Sequence, residues 1–307
     1  MRTVDLFAGA GGFTAGAEQA GATVVWAANH WRQSVDVHQA NHPGVKHSCQ
    51  DLQQADWSRV PAHDLLVASP ACQGHAQPGQ PNRKGTAAVA DRHKADRNTA
   101  WAVVSAAEVC RPSTIIVENV ADFLRWTLLP HWQGALETLG YHVERHTFDC
   151  ATFGVAQNRV RAIITARQCA PLRLTDPGLA APAFGPLIEW GTGPWFPLAS
   201  KPDGVRKRVD AARKRGLGAR FLTHYVTGHR GRELDRPIGC ITTKVQWAVV
   251  DGDRTRMLTT GELGRGMGFS GSYLFPTGKT LACRMLGNAI PPPFAKEIVR
   301  QAMEGAA

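Results

Sequence analysis

The chain has 307 residues, 43% hydrophobic and 20% charged, a globular composition that excludes disorder, collagen and coiled coil. Thirty-five Lys and Arg against 25 Asp and Glu give a net charge of +10, which draws the molecule toward polyanions and makes nucleic acid a candidate partner. The 7 cysteines are odd in number and include no C-x-x-C pair, so a reducing, cytoplasmic setting is expected, with neither export leader nor membrane span.

In chain order, residues 2 to 166 repeat a short apolar run, a turn and a longer amphipathic stretch, the alternation that builds a parallel sheet covered by helices. Strands are predicted at Thr3 to Phe7, Thr23 to Ala28, Asp64 to Ala68, Thr114 to Val117, His142 to Asp149 and Arg161 to Ala166, with helices at Thr99 to Cys110 and Trp132 to Leu139. The expected fold is α/β, a doubly wound, mostly parallel, Rossmann-like sheet with a smaller domain. After Arg167, prolines 171, 177, 182, 186, 194, 197 and 202 forbid long regular elements. The boundary is therefore placed there, with residues 1–167 and 280–307 as the catalytic domain and 168–279 as the small one. Within the latter, residues 201–220 cluster basic charge, including Arg206, Lys207, Arg208, Arg213, Lys214 and Arg215, as a phosphate-contacting surface would.

The first strand feeds Phe7-Ala8-Gly9-Ala10-Gly11-Gly12, a turn that lets backbone approach a ligand and opens a helix whose amides face it. A nucleoside cofactor is expected there, although Thr14 stands where the dinucleotide fingerprint needs glycine. After the second strand, Trp31 offers a platform for a base, and His30 occupies the place where a carboxylate usually meets the ribose. Asp51 is placed either to receive an exocyclic amine or to cap a helix.

Ser69-Pro70-Ala71-Cys72-Gln73 puts a cysteine in a polar loop at the carboxyl edge of the sheet, where a thiolate nucleophile is expected. The loop beyond it, with Arg83, Lys84 and Arg97, suits a lid over phosphates. Glu118 arrives at the same edge. Gln157, Arg159 and Arg161 alternate at a strand start, which would place them on one face.

With these residues in hand, the chain resembles the DNA cytosine-5 methyltransferases: DLFAGAGG at 5–12, ACQ at 71–73, ENV at 118–120, QNRVR at 157–161, RMLTTGELGRGMGF at 256–269 and GNAIPP at 287–292 occur in the family's order. The resemblance implies S-adenosylmethionine over Phe7, Gly9, Gly11 and Gly12, beside His30, Trp31 and Asp51, with Asn288 near its methionine end. It implies a cytosine flipped from the duplex and attacked by Cys72, with Glu118 holding its amine and ring nitrogen 3, Arg161 its carbonyl oxygen, and Arg159 bracing Glu118. It makes Gln73, Arg83, Lys84, Arg97 and the basic run nucleic-acid contacts, residues 168–255 a target-recognition region, and the enzyme a monomer of restriction-modification or phage type.

Two departures stand out: Ala71 replaces the family's proline before the nucleophile, and His30 replaces its ribose-binding glutamate, which admits a carboxylated S-adenosylmethionine. A tRNA cytosine methyltransferase would share Cys72 and Glu118. A DNA-binding regulator without catalysis would be expected to lose Cys72, Glu118 or Arg161. A zinc site on His38, His42, His47 and Cys49 has ligand-like spacing but no second cluster, and no metal is expected.

Overall fold

The computed structural model describes residues 1–71, 98–226 and 228–305. They form two compact units, Met1–Asp149 with Val160–Asp176 and Phe294–Ala307, and Cys150–Arg159 with Pro177–Pro293. The expected boundaries differ in three places. The chain passes to the second unit at Pro177 instead of at residue 168, and residues 150–159 and 280–293, expected in the catalytic domain, belong to the second unit. Backbone pairing explains the first insertion, since Asn158 N–H donates to the Ile238 carbonyl and Ile238 N–H to that of Ala156.

The first unit is built on a seven-stranded sheet in the order β3-β2-β1-β4-β5-β7-β6. Its strands are β1 (Arg2–Leu6), β2 (Thr23–Asn29), β3 (Lys46–Cys49), β4 (Leu65–Ala68), β5 (Thr114–Val120), β6 (His142–Asp149) and β7 (Val160–Arg167). Pairings among β1 to β5 are parallel, and β7 runs antiparallel to both β5 and β6. The central strands read as apolar runs because helices cover both faces of such a sheet: all four residues of β4 are 0% exposed. β3, Lys-His-Ser-Cys, is an edge strand with no apolar run, and hydropathy gave no sign of it.

Helices α1 (Gly12–Gln19), α2 (Arg32–Asn41), α3 (Trp101–Cys110) and α4 (Leu129–Thr138) connect these strands. Phe123, Trp126 and Trp132 pack with Leu66, Val103 and Val117 in the core, and the Trp132 indole donates to the Ala100 carbonyl.

The second unit carries a four-stranded antiparallel sheet, ordered β8-β11-β10-β9, from β8 (Phe196–Pro197), β9 (Arg220–His224), β10 (Trp247–Asp251) and β11 (Arg254–Met257). Helix α5 (Asp203–Lys214) turns Val205, Val209 and Ala212 inward, Val209 and Ala212 packing with Phe221 and Val250. Helices α6 (Thr260–Gly266) and α7 (Lys279–Asn288) follow, and α8 (Pro292–Glu304) ends the described chain. Among the described residues no helix is long and apolar enough to cross a membrane.

Candidate active site

Five parallel strands of the first unit deliver their carboxyl ends to one edge of the sheet, the position where ligands bind in doubly wound folds. At the end of β1 the chain turns through Phe7, Gly9 and Gly11 with φ of 58°, 56° and 95°, all left-handed. For Phe7, a residue with a Cβ, that conformation costs about 1–2 kcal/mol, a strain concentrated where a ligand loop is expected. Ala8 N–H donates to the Ala28 carbonyl and Gly11 N–H to that of Ala8, fixing the turn before α1 opens at Gly12. Backbone that close-turned, leading into helix amides, fits the cofactor the sequence implies.

At the end of β2, Asn29 Oδ1 accepts from Trp31 N–H at 2.9 Å, and the Trp31 indole donates to Gln33 at 2.6 Å. His30 is exposed and Trp31 half-buried. Asp51, beyond β3, accepts from Gln53 N–H at 3.0 Å and caps the turn Leu52–Gln54, so the capping role is realised at the strand end.

The stretch after β4 is held from two sides. Ala71 N–H donates to Thr99 Oγ1 at 3.0 Å, and Asn119 Nδ2 donates to the Pro70 carbonyl at 3.1 Å. The residues preceding Cys72 are thus fixed even with proline one place early. Cys72 itself, Gln73, Arg83, Lys84 and Arg97 lie outside the described residues. Sequence reasoning passed over Thr99 and Asn119 as anchors; Asn119 carries a signal in lying beside Glu118 at a strand end.

Glu118, near the end of β5, meets Arg161 at the start of β7, with Arg161 Nε 2.8 Å from Glu118 Oε1. Glu118 pairs with Ile163 and Val120 with Arg161 in the register, which makes the two charged residues diagonal neighbours on one face. Because β7 is antiparallel, its first residues reach the edge where the parallel strands end. Both side chains are largely buried, 10% exposed for Arg161 and 7% for Glu118, where a charge-assisted hydrogen bond is strong and orients the carboxyl.

The expected alternation of Gln157, Arg159 and Arg161 fails, because β7 begins at Val160 and the two earlier residues belong to the second unit. The Arg159 guanidinium donates to the carbonyls of Ile241, Gly287 and Ala289 at 3.0, 2.7 and 2.9 Å. Gln157 Oε1 accepts from Ile241 N–H at 2.6 Å. The ion pair seen on Glu118 is with Arg161. Asn288 is exposed at the end of α7 in the second unit. Beside it, a Cβ on Gly287 would come within 2.3 Å of Thr242 C and Thr243 N, so backbone approach dictates that glycine.

The four residues weighed for zinc are engaged otherwise. His38 Nδ1 lies 2.8 Å from His47 Nε2, His42 Nδ1 lies 2.9 Å from Glu18, and the Cys49 thiol reaches the His30 carbonyl. Among the described residues no group of three His, Cys, Asp or Glu is arranged to hold a metal.

Against this geometry, the family model for C-5 cytosine-specific DNA methylases matches residues 1–172 and 206–304. The chain belongs to the C-5 cytosine-specific DNA methylase family. A curated relative, the Type II methyltransferase M.NlaX of Neisseria lactamica, is 26% identical over 98% of this chain and 96% of its own. The Type II methylase M.HgiEI of Herpetosiphon aurantiacus is 34% identical over 55% of this chain, and that match spans 37% of M.HgiEI. Among solved structures, a prophage-encoded E. coli protein described as a DNA modification methyltransferase shares the fold, with a TM-score of 0.73 at 15% identity over 99% of each chain.

In this methylase much of the basic run is already committed internally. Arg206 and Lys207 pair with Asp203, Arg213 bonds the Gly252 carbonyl and Asp253, and Arg215 bonds the Arg230 carbonyl. Arg208 lies over the Tyr225 ring at 5.3 Å, and Lys214 is exposed. Sequence reasoning missed a second cationic feature of the methylase: Trp190 and Trp195 stack at 6.3 Å, with Arg220 over the first and Arg254 over the second. Two tryptophans bracketing a Gly-Thr-Gly-Pro turn were the available signal.

Proposed function

We propose that this methylase transfers the methyl group of S-adenosylmethionine to carbon 5 of a cytosine flipped out of double-stranded DNA, with Cys72 as nucleophile and Glu118, held by Arg161, as acid. The observation that carries the reading is the buried Glu118–Arg161 pair, at the sheet edge where the chain just before Cys72 is anchored by Thr99 and Asn119. Phe7, Gly9, Gly11 and Gly12 hold the cofactor's nucleoside side, with Trp31 under the base, and Asp51 and His30 at its polar groups. When bound, the cofactor supplies an electrophilic methyl on a sulfonium.

Flipping is required because the edge of a stacked base is out of reach of a protein nucleophile. The Cys72 thiolate forms a bond to carbon 6 while Glu118 gives its proton to ring nitrogen 3, so the displaced electron pair collects at carbon 5. Arg161 keeps the Glu118 carboxyl aimed at the ring and stands by the cytosine carbonyl oxygen. After methyl transfer, the carbon 5 proton leaves, the bond from Cys72 sulfur to carbon 6 breaks, and Glu118 recovers the nitrogen 3 proton. We assign Asn288 to the methionine end, and Arg83, Lys84, Arg97, Gln73 and the exposed cations of α5 to DNA. Homology to Type II methyltransferases supports a sequence-specific, restriction-modification role. The enzyme is proposed to work as a cytoplasmic monomer.

Nucleoside mass spectrometry on duplex DNA incubated with the protein and S-adenosylmethionine tests this, with Cys72→Ala as control. A 5-methyldeoxycytidine mass that vanishes in the variant is expected. Methylation of tRNA in place of DNA would overturn the substrate, and a carboxymethyl product with the carboxylated cofactor would overturn the cofactor in favour of the one His30 admits.

A further inference from the structure

Buried polar side chains join the two ends of the glycine turn. Asp5, on β1 two residues before Phe7, and Thr14, on α1 two residues after Gly12, are both 0% exposed. Thr14 Oγ1 donates its one hydrogen to Asp5 Oδ2 at 2.8 Å. Its lone pairs then face His38 Nε2 at 3.0 Å, so that nitrogen carries a hydrogen and His38 Nδ1 is bare. His38 Nδ1 lies 2.8 Å from His47 Nε2, which must donate. With Asp5 ionised, hydrogen counting therefore fixes one direction, from half-buried His47 through His38 and Thr14 to Asp5, and Asp5 Oδ1 ends it with no partner among the described residues.

We propose that this oriented chain is a clamp on the cofactor turn, and that binding of the cationic cofactor expels a proton from Asp5. The inference rests on the reading that residues 7–12 hold S-adenosylmethionine. A sulfonium brought to a turn two residues from a buried carboxyl favours the carboxylate, and the carboxylate accepts the Thr14 hydrogen more strongly than the neutral acid, drawing the turn's ends together. Burial pushes the Asp5 carboxyl up to about 7, against the pull of the Thr14 hydroxyl and backbone N–H. The titratable groups facing the chain are His38, His47, His42 and Glu18, the last two paired at 2.9 Å, while the strand neighbours Ala27 and Val67 carry no charge. His38 stays neutral, pushed down to about 2 by burial and then by His42 and His47.

Asp5, Thr14 and His38 act as positioning residues, and the test reads protons. Titration calorimetry of S-adenosylmethionine into the protein at pH 7, in two buffers of different ionisation enthalpy, should show release of about half a proton, and affinity should rise roughly tenfold from pH 6 to pH 8. Asp5→Asn should remove both effects down to the baseline set by the cofactor's own amine. Thr14→Val should move half-release to higher pH, because the carboxylate loses its donor, and Thr14→Ser should restore it. S-adenosylhomocysteine, without the sulfonium charge, should release less. An equal proton count in wild type and Asp5→Asn overturns the clamp. So does an unmoved midpoint in a Thr14→Val protein that keeps its melting temperature, which decides the matter even where Asp5→Asn fails to fold. A folded wild-type protein that binds no cofactor overturns the cofactor reading instead.

Discussion

Each unit buries one arginine against one glutamate, and the two pairs are put together differently. In the second unit Arg256 and Glu262 are 2% and 0% exposed and doubly bonded, at 2.6 and 2.9 Å. The glutamate oxygens also accept from Thr259 N–H at 2.7 Å and Glu189 N–H at 2.8 Å, closing a capping box on α6. Arg256 adds a bond to the Glu189 carbonyl and lies against the face of Trp195. Both oxygens of that glutamate are thus doubly engaged, while Arg256 Nε is buried without a partner among the described residues. In the first unit Glu118 and Arg161 share one bond among the described residues and stand at a strand edge. Equal chemistry thus serves structure where every glutamate oxygen is filled, and, on the function proposed above, a reaction where the glutamate has acceptor capacity beyond its one bond among the described residues.

Substituting each glutamate should separate the two roles. Glu118→Gln is expected to lower single-turnover methylation by roughly 10²–10⁴-fold, the usual worth of a positioned acid, with a smaller loss of melting temperature than the second-unit variant, since the amide still accepts from Arg161. Glu262→Ala, by contrast, leaves Arg256 buried without its charge partner, an effect of about 3–5 kcal/mol, read as a melting temperature lower by roughly 10 °C. A larger loss of stability in the first variant than in the second would break the distinction. A smaller effect of about 1–3 kcal/mol is expected for Gly287→Ala, whose new methyl must displace the backbone at Thr242 and Thr243, measured as a shift of the denaturant midpoint.

The parallel core was legible because its strands are uninterrupted apolar runs: Leu65–Ala68 and the start of Thr114–Val120 fall where hydropathy puts them. β3 was not, since an edge strand of Lys, His, Ser and Cys is held by backbone pairing to Trp26–Asn29 and not by burial. Glu118 and Arg161 were readable from motif and position, whereas the role of Arg159 was not. Its guanidinium, just before β7 begins at Val160, donates to the carbonyls at 241, 287 and 289, which lie far off in sequence. Likewise, the spacing of His38, His42 and His47 looked like ligand spacing, and only the structure shows His38 hydrogen-bonded to His47 and Thr14.

The smallest expected effect sets the units apart by pH. In the second unit His224 stacks on Trp247 at 4.3 Å, and burial, then His229 and Arg208, push its imidazole down to about 4. A histidine lowered on folding binds its proton more readily in the unfolded chain, so its contribution falls as pH drops below about 6.5 and levels off near 4. Asp5 in the first unit has the opposite sign over nearly the same window. Its carboxyl, raised from 3.8 to about 7, keeps a proton the unfolded chain has lost, and its contribution falls as pH rises toward 7. His224→Phe, which preserves a ring against Trp247, should therefore flatten the loss of denaturant stability between pH 6.5 and 4. Asp5→Asn should steepen it over the same range, because a group opposing the histidines is gone. Parallel stability curves for the two variants would show that neither group keeps its folded-state shift, and the pH contrast between the units would fall with them.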